Sequence, residues 1–168
     1  RQLFMQVTLK GNAVNLTGDF PSVGSDAPAF TLTTSSLADV GLDAYAGKKK
    51  VISIVPSLDT AVCATSTQKF NAQVAGKDNV QLLVVSGDLP FAAGRFCEAN
   101  AAKDTVTLST MRNNAFATDY GVLMADGPLA GLTARAVLVL DENNKVTHAQ
   151  LVPEITQEPD YDAALAAL

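Results

Sequence analysis

The stretch VISIVPSLDTAVCATSTQKFNAQV at residues 51–74, followed by VQLLVV at residues 80–85, decides the fold class of this chain. Residues 51–55 form a short apolar run that stops at Pro56. Such a run predicts a buried strand, because proline cannot donate to a strand ladder. Residues 62–74 suit a helix, and residues 80–85 suit a second buried strand. This order predicts a βαβ unit with parallel strands and a right-handed crossover.

The flanking segments extend this unit into a larger α/β fold. Residues 6–18 alternate in polarity on both sides of Gly11-Asn12, which predicts an N-terminal β-hairpin with its turn at that pair. Residues 134–152 predict a second hairpin with its turn at DENN. Further helices are predicted at residues 91–101, 113–120 and 161–168. We therefore expect a thioredoxin-like α/β sandwich, in which helices flank a mixed central sheet.

Length, composition and charge limit the possible classes of function. The 168 residues are 48% hydrophobic, and we expect one domain over residues 1–168, with Met5 as the natural start and residues 1–4 left over from cloning. The net charge of −5 argues against nucleic-acid binding, which needs a basic face. The lysines at positions 48–50 are expected to form a solvated surface turn. No apolar run reaches about 18 residues and no signal-peptide pattern opens the chain, so we expect no membrane contact and a cytoplasmic location.

Two cysteines, Cys63 and Cys97, and one histidine are present in the chain. Two cysteines make no disulfide scaffold, and three such side chains are too few for a four-ligand structural zinc site unless a carboxylate contributes. We therefore expect no metal.

The position of Cys63 is informative. Thr60 is the capping residue nearest to the predicted helix, so Cys63 falls in the first helical turn. The free N–H groups of that turn and the helix dipole favour a thiolate there, although Asp59 opposes it if it lies close. The site also follows a central strand, at the sheet edge where α/β folds bind ligands. Spacing alone leaves a second interpretation open, in which Cys63 is a small buried apolar side chain.

Arg135 is a second candidate, because in TARAVLVL it shares a strand face with Val137 and Val139. An arginine on an apolar strand needs a partner, and a nearby thiolate would serve. The alternative is an arginine at the wet end of the strand, with its head group in solvent.

The motif PSLDTAVC at residues 56–63 resembles the Pro-x-x-x-Thr/Ser-x-x-Cys active-site motif of peroxiredoxins. The wider resemblance is to the bacterial thiol peroxidases, an atypical 2-Cys subgroup, and it covers nearly all of the chain after residue 4. Gly87 is one departure, since a larger residue is expected there. The stretches that resemble this subgroup include KGNAVNLTG, DAPAFTL, DLPFAAGRFCEA, TLSTMRN, LTARAVLVLDENN and EITQEPDYDAAL.

The resemblance implies a peroxidase without haem, flavin or metal. It implies that Cys63 is the peroxidatic nucleophile, which becomes a sulfenic acid, and that Pro56, Thr60 and Arg135 complete the site. It also makes Cys97 the resolving cysteine of an intrachain Cys63–Cys97 disulfide, which thioredoxin reduces. The family is usually homodimeric, so a homodimer is expected. From the sequence alone, Cys97 is equally well an unrelated thiol on a helix.

Charge stabilisation is expected to matter more than thiol ionisation. A lower thiol pKa raises the thiolate fraction but lowers its nucleophilicity, and the two effects largely cancel. The site must therefore stabilise charge on the peroxide oxygens, with Arg135 and the first-turn N–H groups as donors and the Thr60 hydroxyl orienting the peroxide. Hydrogen peroxide and alkyl hydroperoxides are both expected substrates. Phe91 and Leu132 are candidate wall residues.

Two other functions are weighed against this one. A thiol–disulfide oxidoreductase is disfavoured because no Cys-x-x-Cys is present: position 60 is Thr and position 66 is Ser. A thioredoxin-fold binding module, with Cys63 as a redox sensor for a partner and no peroxidase turnover, is the alternative that stays open.

Overall fold

The structure, a computed structural model, describes residues 5–100 and 102–168. The expectation for residues 1–4 and the predicted helix end at residue 101 lie outside these residues. Within them the strands are β1 (Gln6–Leu9), β2 (Asn12–Thr17), β3 (Leu32–Thr34), β4 (Asp39–Val40), β5 (Lys49–Ile54), β6 (Val80–Ser86), β7 (Thr105–Ser109), β8 (Leu123–Met124), β9 (Ala136–Leu140) and β10 (Val146–Leu151). The helices are α1 (Ala61–Val74), α2 (Pro90–Ala99), α3 (Phe116–Asp119) and α4 (Tyr161–Ala166), with a 3-10 helix at Leu42–Tyr45.

A seven-stranded sheet in the order β10-β9-β5-β6-β7-β3-β4 forms the centre of the fold. Strands β5, β6 and β7 are parallel, and β9 runs antiparallel to β5. The predicted βαβ unit is β5-α1-β6, so the mixed sheet and the crossover are confirmed. Strand β7 was not predicted, and it extends the unit by a second crossover through α2.

The long helices share one face of this sheet. Two right-handed crossovers that advance in the same direction place their helices on the same side. Accordingly, α1, α2 and α4 contribute Phe70, Phe96 and Ala164 to one buried cluster with Val51 and other sheet residues. The predicted sandwich of a mixed sheet flanked by helices is confirmed.

The opposite face of the sheet is covered by shorter elements. Alternation along β5 sends Ile52 and Ile54 to this side, where they join a cluster that includes Phe116 and Tyr120. The rings of Phe116 and Tyr120 stack with centroids 4.5 Å apart, and the Tyr120 hydroxyl donates to Pro28 O. Both faces of β5 and β6 are therefore buried, which fixes the strand end that precedes α1.

The predicted N-terminal hairpin is confirmed, but its turn lies one residue earlier than expected. Leu9 pairs with Asn12, so the turn residues are Lys10 and Gly11, with φ of 50° and 82°. Positive φ at both positions is the geometry that matches the twist of a two-residue hairpin. The hairpin forms a separate three-stranded sheet with β8.

The hairpin is fastened to the segment at residues 153–156. Thr8 N donates to Pro153 O and Ile155 N donates to Thr8 O, each at 2.8 Å. The Glu154 carboxylate accepts from Thr8 Oγ1 and from Gly11 N. It also accepts from the backbone and the hydroxyl of Thr156, and these bonds, the backbone ones first, lower the Glu154 pKa to about 2.

The expectation of a solvated turn at residues 48–50 is wrong for Lys50. Lys49 begins β5, and the Lys50 side chain is 0% exposed. Its ammonium donates to Lys48 O at 3.0 Å and to Asn144 Oδ1 at 2.7 Å. Burial lowers the Lys50 pKa, and the nearby Asp141 charge opposes that shift. The hydrogen bonds that Lys50 donates, one to its neighbour Lys48 and one to Asn144 at a distant hairpin tip, make this burial possible.

No helix in the described part of the chain combines the length and the apolar character that crossing a bilayer requires.

Candidate active site

Thr60 is the N-cap of helix α1, as the sequence predicts. Its Oγ1 accepts from Cys63 N at 3.4 Å, and the same hydroxyl donates to Ser57 O at 3.1 Å. Cys63 is thus the third residue of α1, in the turn whose N–H groups have no partner within the helix. The cap hydrogen bond is long, so it holds this first turn only weakly.

The Cys63 thiol is enclosed and faces a cation. Cys63 is 0% exposed, and Arg135 Nη1 donates to its Sγ at 3.1 Å. Arg135 itself is 2% exposed, and its Nε donates to Ile155 O at 3.0 Å. The interpretation with the Arg135 head group in solvent is therefore wrong. The structure brings a guanidinium and a thiol together across 72 positions of the chain.

Pro56 lies directly between β5 and the loop that leads to Thr60, and it is buried. The preceding carbonyl, Val55 O, accepts from Thr133 Oγ1 at 3.0 Å. That bond connects the end of the central strand to the segment that leads into Arg135. Thr60, Pro56, Cys63 and Arg135 therefore belong to one connected region at the carboxyl end of β5.

Asp88 is a residue that the sequence did not single out. It follows β6, and its Oδ1 accepts from Ser57 Oγ at 2.8 Å. Its Oδ2 accepts from Leu58 N at 2.7 Å and from Ser86 Oγ at 2.8 Å. The available signal was an acidic residue at the carboxyl end of a buried strand, just before the helix start Leu89-Pro90.

Glu158 is a further charged group, and it lies beside the first turns of α1. Its carboxylate accepts from Lys69 Nζ and from the Tyr161 hydroxyl, each at 2.9 Å. These bonds, and more weakly the charge of Arg135, hold the Glu158 pKa below its usual value. A cavity of about 420 Å³ lies between this segment and the outer side of the first turns of α1, lined by Ala61, Val62, Thr65 and residues 156–158.

Cys97 lies on α2 in a different setting from Cys63. Both thiols are free, and Cys97 is half-buried, which raises its pKa. It lines a cavity of about 500 Å³ together with residues 34–36, Ala38, Tyr45, Gly94, Glu98 and residues 105–107 of β7. None of the other four candidate site residues lines this cavity. The structure therefore groups Cys63, Thr60, Pro56 and Arg135. Cys97 packs against the apolar cluster that contains Cys63, but it faces a cavity that none of these four residues lines.

The two candidate wall residues differ in exposure. Phe91 is 69% exposed in the first turn of α2. Leu132 lines a smaller cavity of about 230 Å³ with Gly87, Thr110 and Thr133. In the described part of the chain, no three His, Cys, Asp or Glu side chains gather in a way that would hold a metal ion.

Comparison with known proteins gives a consistent result. The Redoxin family model matches residues 22–165. A thiol peroxidase from Mycobacterium bovis (strain ATCC BAA-935 / AF2122/97) is 50% identical over 163 residues, which is 97% of this chain and 98% of that protein.

Solved structures are similar over almost the same length. A peroxiredoxin-like protein from Aquifex aeolicus superposes with a TM-score of 0.90 at 43% identity, covering 98% of this chain and 96% of that one. A thiol peroxidase from Chromobacterium violaceum has the same fold, with a TM-score of 0.90 at 24% identity over 96% of this chain and 93% of that one.

Proposed function

This chain belongs to the Redoxin family and is a thiol-dependent peroxidase of the peroxiredoxin type, and from that premise we propose which of its residues perform the reaction. Cys63 is the peroxidatic cysteine. The observation that supports this most directly is the 3.1 Å hydrogen bond from Arg135 Nη1 to Cys63 Sγ in a fully buried setting. A buried guanidinium needs an anionic or strongly polar partner, and a thiolate is one.

In the first step the Cys63 thiolate attacks the terminal oxygen of a hydroperoxide. The S–O bond forms as the O–O bond breaks, which leaves Cys63 as a sulfenic acid. The departing alkoxide or hydroxide takes a proton from water and leaves as an alcohol or as water. Both hydrogen peroxide and alkyl hydroperoxides satisfy this scheme.

Stabilisation of the departing oxygen is the main task of the surrounding residues. Arg135 is the nearest donor, because its Nη1 already points at the sulfur from which charge moves to the peroxide. The Thr60 hydroxyl is close to the same helix turn and both donates and accepts, so it orients the peroxide. Pro56 is buried at the base of the loop and shields the sulfenic acid from water.

In the second step Cys97 attacks the sulfenic acid sulfur. The S–S bond forms, the S–O bond breaks, and the leaving hydroxide takes the Cys97 proton to become water. Disulfide geometry requires neighbouring Cα atoms. The Cys63 thiol is held by Arg135 Nη1, whereas the half-buried Cys97 packs against the apolar cluster that contains Cys63 and lines a cavity of its own. Because Cys63 is fully buried and bonded to Arg135, we infer that the first turn of α1, held by a 3.4 Å cap bond, and α2 around Cys97 unfold in part during each cycle.

A dithiol reductant of the thioredoxin type then reduces the Cys63–Cys97 disulfide and is itself oxidised to a disulfide. A cytoplasmic location fits this cycle, since that compartment keeps thiols reduced between turnovers. No haem, flavin or metal enters any step.

The functional unit is a homodimer in this proposal. Leu89, Phe91 and Met111 are exposed apolar side chains. They belong to two segments that a hydrogen bond joins, from Ser109 Oγ to Asp88 O at 2.6 Å. A second copy of the chain is the occupant proposed for this surface, and sedimentation velocity of Phe91→Glu against wild type tests it. Unchanged mass in solution for the variant would count against this surface.

The test of the proposed cycle is peroxide-dependent NADPH consumption with thioredoxin and thioredoxin reductase. Cys63→Ser is expected to be inactive, and Cys97→Ser is expected to consume one equivalent of peroxide and stop. Activity in Cys63→Ser would remove the assignment of the nucleophile. Oxidation of Cys63 without sustained turnover in wild type would instead favour the redox sensor, the alternative function. Thermal melts of each variant serve as the folding control.

A further inference from the structure

We propose that Asp88 is a positioning residue, which holds the loop before α1 in the form that reacts with peroxide and restrains the opening that disulfide formation needs. The inference rests on the proposed roles of Cys63, Thr60 and Cys97. It assigns to Asp88 opposite effects on the two chemical steps.

Asp88 joins three segments of the chain, two through its carboxylate and one through its backbone carbonyl. It accepts from Ser57 Oγ and Leu58 N in the loop after β5, and from Ser86 Oγ at the end of β6. Its own carbonyl accepts from Ser109 Oγ at the end of β7. The carboxyl ends of three neighbouring parallel strands are thus linked through one residue. Charge-assisted bonds of 2.7–2.8 Å to a half-buried carboxylate are among the stronger polar contacts in a protein.

A continuous path of hydrogen bonds leads from Asp88 to the thiol-bearing turn. Asp88 fixes Ser57, and Ser57 O in turn accepts from Thr60 N and from Thr60 Oγ1. Thr60 Oγ1 then accepts from Cys63 N. Because these hydrogen bonds act in series, loss of Asp88 releases Ser57 and is expected to displace the Thr60 hydroxyl. Misplacement of an orienting group by about 1 Å is enough to cost on the order of 100-fold in rate.

The same path opposes the second step. Asp88 lies two residues before α2, which begins at Pro90 and carries Cys97, and it holds the loop before α1, which carries Cys63. Cys63 reaches Cys97 only when the first turn of α1 opens. Contacts that stabilise the closed loop lower the population of the open form. Removal of Asp88 is therefore expected to leave disulfide formation as fast as in wild type, or faster.

The experiment is a single-turnover reaction of the full chain with hydrogen peroxide, quenched at intervals with a thiol alkylator and read by intact mass. Free thiol, sulfenic acid and disulfide have different masses, so the two rate constants are obtained separately. The variants are Asp88→Ala, Asp88→Asn and the control Asp78→Ala, which removes an exposed acid after α1, by the amino end of β6. Thermal melts accompany each variant.

In Asp88→Ala, sulfenic acid formation is expected to slow by about tenfold or more, while the disulfide step does not slow. Asp88→Asn is expected to stay within about threefold of wild type, because its oxygen still accepts from Leu58 N and its amide donates to Ser57 Oγ. If Asp88→Ala acted only through a general loss of structure, both chemical steps would slow. Asp88→Asn would then not be expected to keep a rate close to that of wild type.

Three results would overturn the inference. Sulfenic acid could form as fast in Asp88→Ala as in Asp78→Ala, or both steps could slow equally in Asp88→Ala. The third is a first step in Asp88→Asn that is as slow as in Asp88→Ala. If Asp88→Ala does not fold, Ser57→Ala cuts the same path from the other side. A first step in Ser57→Ala as fast as in wild type would then be decisive against it. Absence of Cys63 oxidation in wild type would mark failure of the proposed function itself.

Discussion

Arg135 connects the Cys63 thiol to a backbone carbonyl on another segment: its Nη1 donates to Cys63 Sγ at 3.1 Å and its Nε donates to Ile155 O at 3.0 Å. The guanidinium is planar, so a hydrogen bond on one edge fixes the direction of the other donors. The orientation of the cation at the thiol is therefore set by the position of Ile155.

Replacement of Arg135 by lysine is expected to damage the first chemical step severely. Lysine keeps a positive charge but has no planar pair of donors, so it cannot bond Ile155 O and face the thiol in the same geometry. Sulfenic acid formation in Arg135→Lys should fall on the order of 100-fold, as for loss of one oxyanion donor. Single-turnover kinetics in a Cys97→Ser background measures this. A rate within threefold of the parent would mean that charge alone suffices.

Acid sensitivity is expected to arise in part at Glu154. Its pKa of about 2 in the folded protein lies below the ordinary 4.5, because it accepts backbone and side-chain hydrogen bonds from Thr156, Gly11 and Thr8. The ionised form thus stabilises the fold above about pH 4.5, and this contribution is lost as the pH falls towards about 2. Urea unfolding of Glu154→Gln should show lower stability at neutral pH and a flatter decline between those pH values.

The control for that comparison is Glu142→Gln, which removes an exposed carboxylate at the tip of the β9–β10 hairpin. Parallel stability profiles for Glu154→Gln and wild type across the acidic range would show that Glu154 has no such role.

Thr67 offers a way to strengthen α1 without touching the site residues. It is fully buried, and its Oγ1 has no hydrogen-bond partner within the described residues. Valine has nearly the same shape and lacks the hydroxyl, so Thr67→Val should raise the free energy of unfolding by about 1 kcal/mol. Thr67→Ser keeps the hydroxyl and loses the methyl group, and it should be less stable than wild type. The free energy of unfolding of each reduced variant is measured by denaturant titration. A value for Thr67→Val below that of wild type would refute the argument.

Gly87 is expected to tolerate alanine. Its backbone does not adopt positive φ, and an added Cβ would meet Thr110 Oγ1 at 3.8 Å and Leu132 Cδ2 at 3.9 Å, which are ordinary contacts. Gly87→Ala should stabilise the fold by roughly 0.4–1 kcal/mol, mainly by restricting the unfolded chain.

The matched control for Gly87 is Gly121→Ala. Gly121 has a φ of +66°, and a Cβ there would overlap the backbone of Asp19 and Phe20, so this variant should be destabilised. Thermal melts of the two variants make the comparison. Destabilisation of both would show that the site at Gly87 is tighter than its contacts indicate.

Features set by neighbouring residues were predictable from the sequence. The cap at Thr60, the place of Cys63 in the first turn and the β5-α1-β6 unit follow from local chemistry, and the structure agrees with each. The hairpin turn was displaced by one residue because Lys10 adopts a positive φ of 50°, which non-glycine residues rarely do.

Features set by distant partners were not predictable in this way. Lys50 is buried because Asn144, 94 positions later, accepts its hydrogen bond, and a run of three lysines indicates only a surface. Asp88 contacts residues 30 and 31 positions earlier, so its position at the end of a buried strand marks it as a candidate but does not identify these partners. The pairing of Arg135 with Cys63 was anticipated from its strand face and from the family motif, not from spacing.

The N-terminal hairpin limits how far this enzyme can be trimmed. A protein shortened to begin after β2 would retain all five proposed site residues. It would lose Thr8 and Gly11, whose hydrogen bonds hold Glu154, and with them the partner strand of Ile155. A fragment can therefore contain every reactive group and still be too short to work.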